Sequence, residues 1–126
     1  MSKSVVYSEH APEPIGPYSQ AIQTGNLLFV SGQIALQRST GAMITANIEE
    51  ETKQVMANIK AVLAAAGLDF ANVVKTSIFL KDMNNFPAVN QIYGTFFTQN
   101  PPARETVEVS RLPKDANVEI SCIAVK

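Results

Sequence analysis

The sequence is poor in the residues that build covalent and metal-dependent sites, since its 126 residues include one cysteine, one histidine and no tryptophan. A lone cysteine excludes a disulfide within the chain, and with His10 as the only histidine a zinc site of Cys and His ligands is out of reach. We therefore expect no metal. Cys122 has no histidine near it in sequence, so we expect a buried small hydrophobe rather than a nucleophile, compatible with a reducing compartment.

Strong charge and long apolar runs are also missing. The chain has 10 basic and 11 acidic residues, a formal net charge of −1 and no basic block. This balance lacks the electrostatic footprint of a nucleic-acid-binding protein, which argues against DNA and, less strongly, against RNA. No apolar run approaches the roughly 20 residues of a membrane-spanning helix, and residues 1–4 do not lead into a signal-peptide core. We expect a soluble, cytoplasmic protein without a membrane partner.

The chain has the length and composition of one ordinary domain. Its hydrophobic content is 46%, without a low-complexity run, which suffices for a single core. We expect residues 1–126 to form one domain with no linker.

The first third of the chain predicts an extended lead-in followed by a hairpin. Three prolines and a glycine within residues 1–17 indicate an extended segment that ends in a turn. Residues 18–24 and 27–34 are apolar and β-prone, and Gly25-Asn26 between them is typical of a short hairpin connection. Gly32 near the end of the second strand favours a bulge or a close backbone approach.

The middle of the chain predicts two helices around a strand. Asn47 followed by glutamates is typical of a helix start, apolar residues then recur at helical spacing, and Gly67 should end the helix. Residues 73–80 are predicted to form a strand. A second helix should begin with Asn84 or Asn85 as its cap and end before the prolines at 101 and 102.

The resulting order of elements predicts an α+β fold, with a single mixed β-sheet and both helices packed on one face. The last strand is apolar on both faces: Val118, Ile120, Cys122 and Ala124 point one way, while Ile123 and Val125 point the other way with Glu119 and Ser121. A strand of this kind beside one helix layer indicates a subunit interface on the other face.

The last quarter of the chain places an arginine and a glutamate in two successive short strands. Arg104 follows Pro101-Pro102-Ala103, and Glu119 lies in the next strand, after a connection that contains Leu112-Pro113. Strands joined in this way pair readily, so we expect Arg104 and Glu119 to come close. A guanidinium is a rigid fork for a carboxylate, and a carboxylate nearby can orient or deprotonate water. The pattern predicts a site for a small carboxylated substrate.

These residues also resemble a known family. Residues 102–120, with Ile-Gly-Pro-Tyr-Ser-Gln at 15–20 and Val-Ser-Gly-Gln-Ile at 30–34, are similar in order and spacing to the reactive intermediate deaminase (Rid or YjgF) family, and the likeness extends over residues 11–125. The resemblance implies a homotrimer of chorismate-mutase-like subunits with sites between neighbours. It also implies hydrolysis of 2-imino acids, formed from enamines, to 2-oxo acids and ammonia without metal or cofactor.

The resemblance implies roles for individual residues, each with a simpler alternative. Arg104 would bind the substrate carboxylate, or else be a surface arginine that caps a strand or pairs with Glu105. Glu119 would position water or relay a proton, or form a structural salt bridge. Tyr18 would line the pocket, or be a half-buried aromatic with its hydroxyl at the rim.

Weaker assignments and two departures complete the candidate site. Ser31 and Gly32 match the family's strand-end motif. Asn90 on the second helix is a further candidate for substrate binding, or else a solvated polar position. Thr106 replaces a cysteine that many members have, so only a backbone carbonyl is expected to hold water there. Ser121 replaces a frequent second glutamate, so the substrate preference is left open.

Two other functions stay open from the sequence. The first is a trimeric module that binds small metabolites without turnover. The second is ribonuclease activity, which the near-neutral charge and the lack of a histidine pair make the weakest of the three.

Overall fold

The computed structural model describes residues 2–126. They form one six-stranded mixed sheet and two α-helices. The strands are β1 (Ser4–Val6), β2 (Ala21–Thr24), β3 (Leu27–Gln33), β4 (Val73–Leu80), β5 (Ala103–Glu108) and β6 (Val118–Val125). The helices are α1 (Ile48–Ala65) and α2 (Phe86–Gly94). Short 3₁₀ turns occupy Phe70–Asn72, Met83–Asn85 and Pro113–Asp115.

The strands lie in the order β1-β2-β3-β6-β4-β5. Neighbours are antiparallel except β4 and β5, which are parallel. The predicted α+β class with a single mixed sheet is confirmed. One feature was not anticipated: β6 lies between β3 and β4, so the crossover through α1 joins strands that do not pair directly.

Helix α1 begins and ends as its sequence predicts. The Asn47 side chain accepts a hydrogen bond from the Glu50 N–H at 2.8 Å, and Gly67 has a φ of 75° just after the last turn. The N-cap of α2 is Asn85, one of the two residues predicted, but its side chain makes no capping hydrogen bond. Asp82 caps the preceding 3₁₀ turn instead, by accepting from the Asn84 N–H at 2.9 Å.

The core lies between the helices and one face of the sheet. Burial alternates strictly along β6, and the residues Val118, Ile120, Cys122 and Ala124 are buried against the helices. Glu119, Ser121, Ile123 and Val125 lie on the opposite face, which we call the open face, as the alternation predicted. Phe29, 43% exposed, and Val107, 40% exposed, add apolar surface to it.

No helix among residues 2–126 is both long enough and apolar enough to cross a membrane.

Candidate functional site

Arg104 lies on β5, the edge strand of the sheet, and its guanidinium is held by α2. Nη1 donates to Asn90 Oδ1 at 2.8 Å. The guanidinium carbon lies 5.0 Å from the centre of the Tyr93 ring and 5.5 Å from that of Phe86. A guanidinium fixed by one hydrogen bond and two aromatic faces still has further N–H donors to offer, so it is preorganised to bind an anion.

The support beneath the guanidinium is itself fixed. Tyr93 is 4% exposed, and its hydroxyl shares a 2.7 Å hydrogen bond with Thr76 Oγ1 on β4. Burial raises the pKa of Tyr93, which keeps the phenol neutral. A groove at this edge is lined by the Arg104 and Asn90 side chains together with Tyr93, Phe97, Pro101 and Pro102.

The alternative pairing of Arg104 with Glu105 is wrong. Glu105 lies on the open face, 2.9 Å from Lys75 Nζ, and also accepts a hydrogen bond from Ser77. These contacts lower the pKa of Glu105, with the Ser77 bond as the larger cause. Arg104 itself makes no ion pair within residues 2–126.

Thr106 follows two residues later on the same face of β5 as Arg104. Its Oγ1 is the one buried side-chain oxygen or nitrogen within residues 2–126 that has no hydrogen-bond partner. As β5 is an edge strand, half of its backbone N–H and C=O groups point away from β4. Backbone groups near Thr106 are therefore available to a ligand or a second chain.

Glu119 lies on the open face at the start of β6, directly against Gly32. A Cβ placed on Gly32 would lie 2.9 Å from Glu119 Cδ and nearer still to Oε2. The register of β3 on β6 is irregular between Val30 and Gln33, so the predicted bulge or close approach is confirmed in both respects. Burial raises the pKa of Glu119, and no ion pair or hydrogen bond of its carboxylate is present within residues 2–126.

The Glu119 carboxylate lines a pocket with the proline-rich lead-in. Gly32, Gln33 and Tyr18 contribute to its wall, as do the lead-in residues Pro12, Glu13 and Ile15 and the loop residues Pro113 and Lys114. Tyr18 is 51% exposed and stands at the rim. Ser31 does not face the pocket through its hydroxyl, since Oγ donates to Ser19 O at 2.6 Å. Ser31 thus fixes the backbone beside Gly32.

The structure does not bring Arg104 and Glu119 together, and the predicted pairing of their strands is wrong. Strand β4 lies between β5 and β6, because β5 returns through α2 to pair in parallel with β4. Arg104 is in register with buried Thr76 on the helix face, whereas Glu119 is in register with Phe79 on the open face. One chain therefore carries two separate half-sites, one around Arg104 and one around Glu119.

Several residues that shape the Glu119 pocket were missed by the sequence analysis. Gln20, 2% exposed, accepts from the Ser8 N–H at 2.6 Å and donates to three lead-in carbonyls, those of Ser8, Ala11 and Pro12. Arg38 donates to Ala11 O at 2.8 Å and to the Tyr7 hydroxyl at 2.9 Å. Gln20 ends the Ile-Gly-Pro-Tyr-Ser-Gln motif at 15–20, whereas Arg38 lies in a turn and belongs to no motif noted in the sequence.

The remaining reactive groups are inert or dispersed. Cys122 is 4% exposed, and burial raises its pKa to about 12, which confirms a buried small hydrophobe. Within residues 2–126 no three His, Cys, Asp or Glu side chains are grouped so that they could hold a metal ion.

Comparison with known proteins is consistent over the whole chain. A model of the endoribonuclease L-PSP family matches residues 8–126. A RutC family protein of Pyrococcus horikoshii is 51% identical over 98% of each chain. A 2-iminobutanoate/2-iminopropanoate deaminase of Dermatophagoides farinae is 46% identical over 98% of this chain and 96% of that protein.

The fold has a solved counterpart at high similarity. The structure of YyfA from Yersinia pestis, a protein of unknown function of the conserved Rid family, superposes with a TM-score of 0.95 and is 48% identical, covering 99% of this chain and 100% of that one. The chain therefore belongs to the endoribonuclease L-PSP family and, within it, to the Rid (YjgF) proteins.

Proposed function

We propose that the protein hydrolyses 2-imino acids such as 2-iminopropanoate and 2-iminobutanoate to 2-oxo acids and ammonia. The observation that carries the proposal is the Arg104 guanidinium, fixed by Asn90 and two aromatic rings without an acidic partner in residues 2–126. Such a group binds a carboxylate bidentately. The deaminase of Dermatophagoides farinae, 46% identical, supports the choice of imino acids.

Arg104 anchors the substrate carboxylate, and Asn90 keeps the guanidinium in place. The imine carbon lies next to the carboxylate, so this contact also fixes the distance from the reacting carbon to the sheet edge. Backbone groups near Thr106, two residues along the edge strand, then help to hold the attacking water. Tyr18 and Gly32 complete the wall of the pocket, and Ser31 supports the wall by fixing the backbone beside Gly32.

Glu119 accepts a proton from the attacking water and donates it to the substrate nitrogen. A half-buried carboxylate with a raised pKa can take a proton from water and return it near neutral pH. The water oxygen bonds to the imine carbon while Glu119 takes its proton, and the C=N π electrons move to nitrogen. Glu119 returns the proton to that nitrogen, which gives the carbinolamine. The hydroxyl proton then passes through Glu119 to the amino nitrogen, the C–N bond breaks to release ammonia, and the C=O bond forms. Proton transfer of this kind contributes roughly 10²- to 10⁴-fold in rate.

The two half-sites act together only if a second copy supplies one of them. We propose a cyclic homotrimer of single-domain subunits, in which the open face is buried and Arg104 of one copy meets Glu119 of the next. Exposed Phe29 and Val107 on that face support a subunit contact. We also propose a cytoplasmic location, since the one cysteine, Cys122, is free and buried.

The decisive experiment compares imine hydrolysis by wild type, Arg104→Ala and Arg111→Ala. A dehydratase generates 2-aminoacrylate or its four-carbon homologue from serine or threonine, and appearance of the 2-oxo acid is followed against buffer. We expect wild type and the exposed-loop control Arg111→Ala to accelerate the reaction. Arg104→Ala should lose roughly 10- to 150-fold in kcat/KM, as about 1.5–3 kcal/mol for hydrogen bonds to a charged group implies.

A folded wild-type protein that leaves the spontaneous rate unchanged would refute the deaminase. Binding of 2-oxobutanoate without turnover would then favour the metabolite-binding module. If Arg104→Ala were as active as wild type, Arg104 would have no part in the site.

A further inference from the structure

Glu51 is a charged side chain with no exposed surface, placed in the first turn of α1. Its Oε2 accepts from the Asn117 backbone N–H at 2.7 Å, and its Oε1 accepts from Asn117 Nδ2 at 2.8 Å. A buried carboxylate is costly unless it is hydrogen-bonded. Both oxygens are satisfied here by one residue, 66 positions away in sequence.

Asn117 immediately precedes β6, and Glu119 is the second residue of that strand. The Asn117 carbonyl also accepts from the Lys81 N–H at 3.0 Å. Asn117 is thus held through its backbone N–H, its side chain and its backbone carbonyl. The neighbouring residues Ala116 and Val118 are fully buried, so the backbone that leads into Glu119 has little freedom.

Within the described residues, no hydrogen bond or ion pair holds the Glu119 side chain itself. The charged residues that line its pocket are Glu13 and Lys114, and neither forms an ion pair with it within residues 2–126. The carboxylate lies directly against the Gly32 backbone. The location of the carboxylate therefore depends on where the backbone at the start of β6 is fixed.

We propose that Glu51 is a positioning residue, whose bidentate contact with Asn117 fixes the start of β6 and so places the Glu119 carboxylate over Gly32. The effect of this contact on catalysis rests on the proposed function. A misplacement of about 1 Å can cost roughly 10²-fold in rate. The contact joins the N-terminal turn of α1 to the strand that carries Glu119.

A substitution pair tests this contact. Asn117→Asp sets two carboxylates against each other and should break it. Adding Glu51→Gln restores complementary groups, because the Gln amide donates to the Asp and its oxygen accepts the backbone N–H. Asp115→Asn is the control, since it removes an exposed 2.7 Å ion pair with Lys81 in the same loop and leaves Asn117 untouched.

Two readouts are taken on each variant: kcat/KM for imine hydrolysis, and titration of the Glu119 carboxyl by ¹³C NMR. We expect Asn117→Asp to lower kcat/KM at least tenfold and to bring the Glu119 titration down toward that of an ordinary glutamate. The double variant should recover both readouts, and Asp115→Asn should match wild type in both. If Asn117→Asp fails to fold, Asn117→Ala, which keeps the backbone bond, takes its place.

Folded Asn117 variants with wild-type titration and rate would overturn the proposal. So would a double variant that regains thermal stability but neither readout, because Glu51 would then be purely structural. A wild type without deaminase activity would remove the proposed function, while the Glu119 titration would still decide whether Glu51 positions that carboxylate.

Discussion

The carboxylate of Glu119 lies so close to Gly32 that no side chain fits between them: a Cβ on Gly32 would be 2.9 Å from Glu119 Cδ. Gly32 does not have a left-handed φ, so alanine is compatible with its backbone. Only the flexible end of Glu119 must move. We expect Gly32→Ala to remain folded but to lose roughly 10²-fold in kcat, as a displacement of about 1 Å implies.

This prediction is checked by single-turnover kinetics and thermal unfolding of Gly32→Ala. Loss of rate with a nearly unchanged melting temperature is the expected pattern. An alanine variant with the wild-type kcat would show that the place of the carboxylate over Gly32 is immaterial to the reaction.

Glu119→Gln should stabilise the protein at neutral pH. Burial raises the pKa of Glu119 above the ordinary 4.5, so the folded state disfavours the charge relative to the unfolded state. The contribution of Glu119 to stability is therefore largest below its unfolded pKa and is lost as pH rises through the folded one. Glutamine carries no charge, so the variant should exceed wild type near pH 7, with the difference vanishing below about pH 4.5.

Urea unfolding at both pH values and one fixed protein concentration measures this difference. Glu9→Gln, at an exposed position, is the control and should stay within about 0.5 kcal/mol of wild type. The same Glu119→Gln sample should lose deaminase activity. Equal stability of Glu119→Gln and wild type at pH 7 would mean that the carboxylate is better solvated than its burial indicates.

The sequence predicted correctly those elements of the fold that are determined by neighbouring residues. Strand β4 was predicted with the bounds that the structure shows. Asn47 marks the start of α1 through its side-chain cap, and Gly67 marks the end of α1 through its positive φ. The alternation along β6 correctly assigned its residues to the two faces. Each of these signals is contained within a few consecutive residues.

Pairing between strands was predicted correctly for the β2–β3 hairpin, where Gly25-Asn26 joins the two strands, but not for β5 and β6. A short connection between β5 and β6 favoured a hairpin, yet β5 pairs with β4 because the crossover through α2 places them in parallel. Likewise, the contacts of Glu51 with Asn117 and of Gln20 with the lead-in span 66 and 8–12 positions. The residues of the candidate site were named from their motifs, but their division into two half-sites follows from this long-range topology.

The open face predicts a specific response to an added charge. Phe29 is 43% exposed there, and an aspartate in its place would have to be buried in the proposed subunit contact. We expect Phe29→Asp to sediment as a monomer and to lose deaminase activity, since the half-sites would separate. Ala57→Asp, on the exposed side of α1, should keep the assembly of wild type. A trimeric Phe29→Asp would exclude this face as the contact.

Mixed assemblies provide the sharpest test of a shared site, because Arg104 and Glu119 lie on opposite faces of one sheet. Arg104→Ala and Glu119→Gln should each be nearly inactive alone. When the two are unfolded together and refolded at equal concentrations, a site that takes Arg104 from one copy and Glu119 from the next is intact in about a quarter of cases. The mixture should therefore regain about a quarter of wild-type activity. A site confined to one chain can regain none, so a mixture as inactive as its parents, although trimeric, would contradict the proposed arrangement.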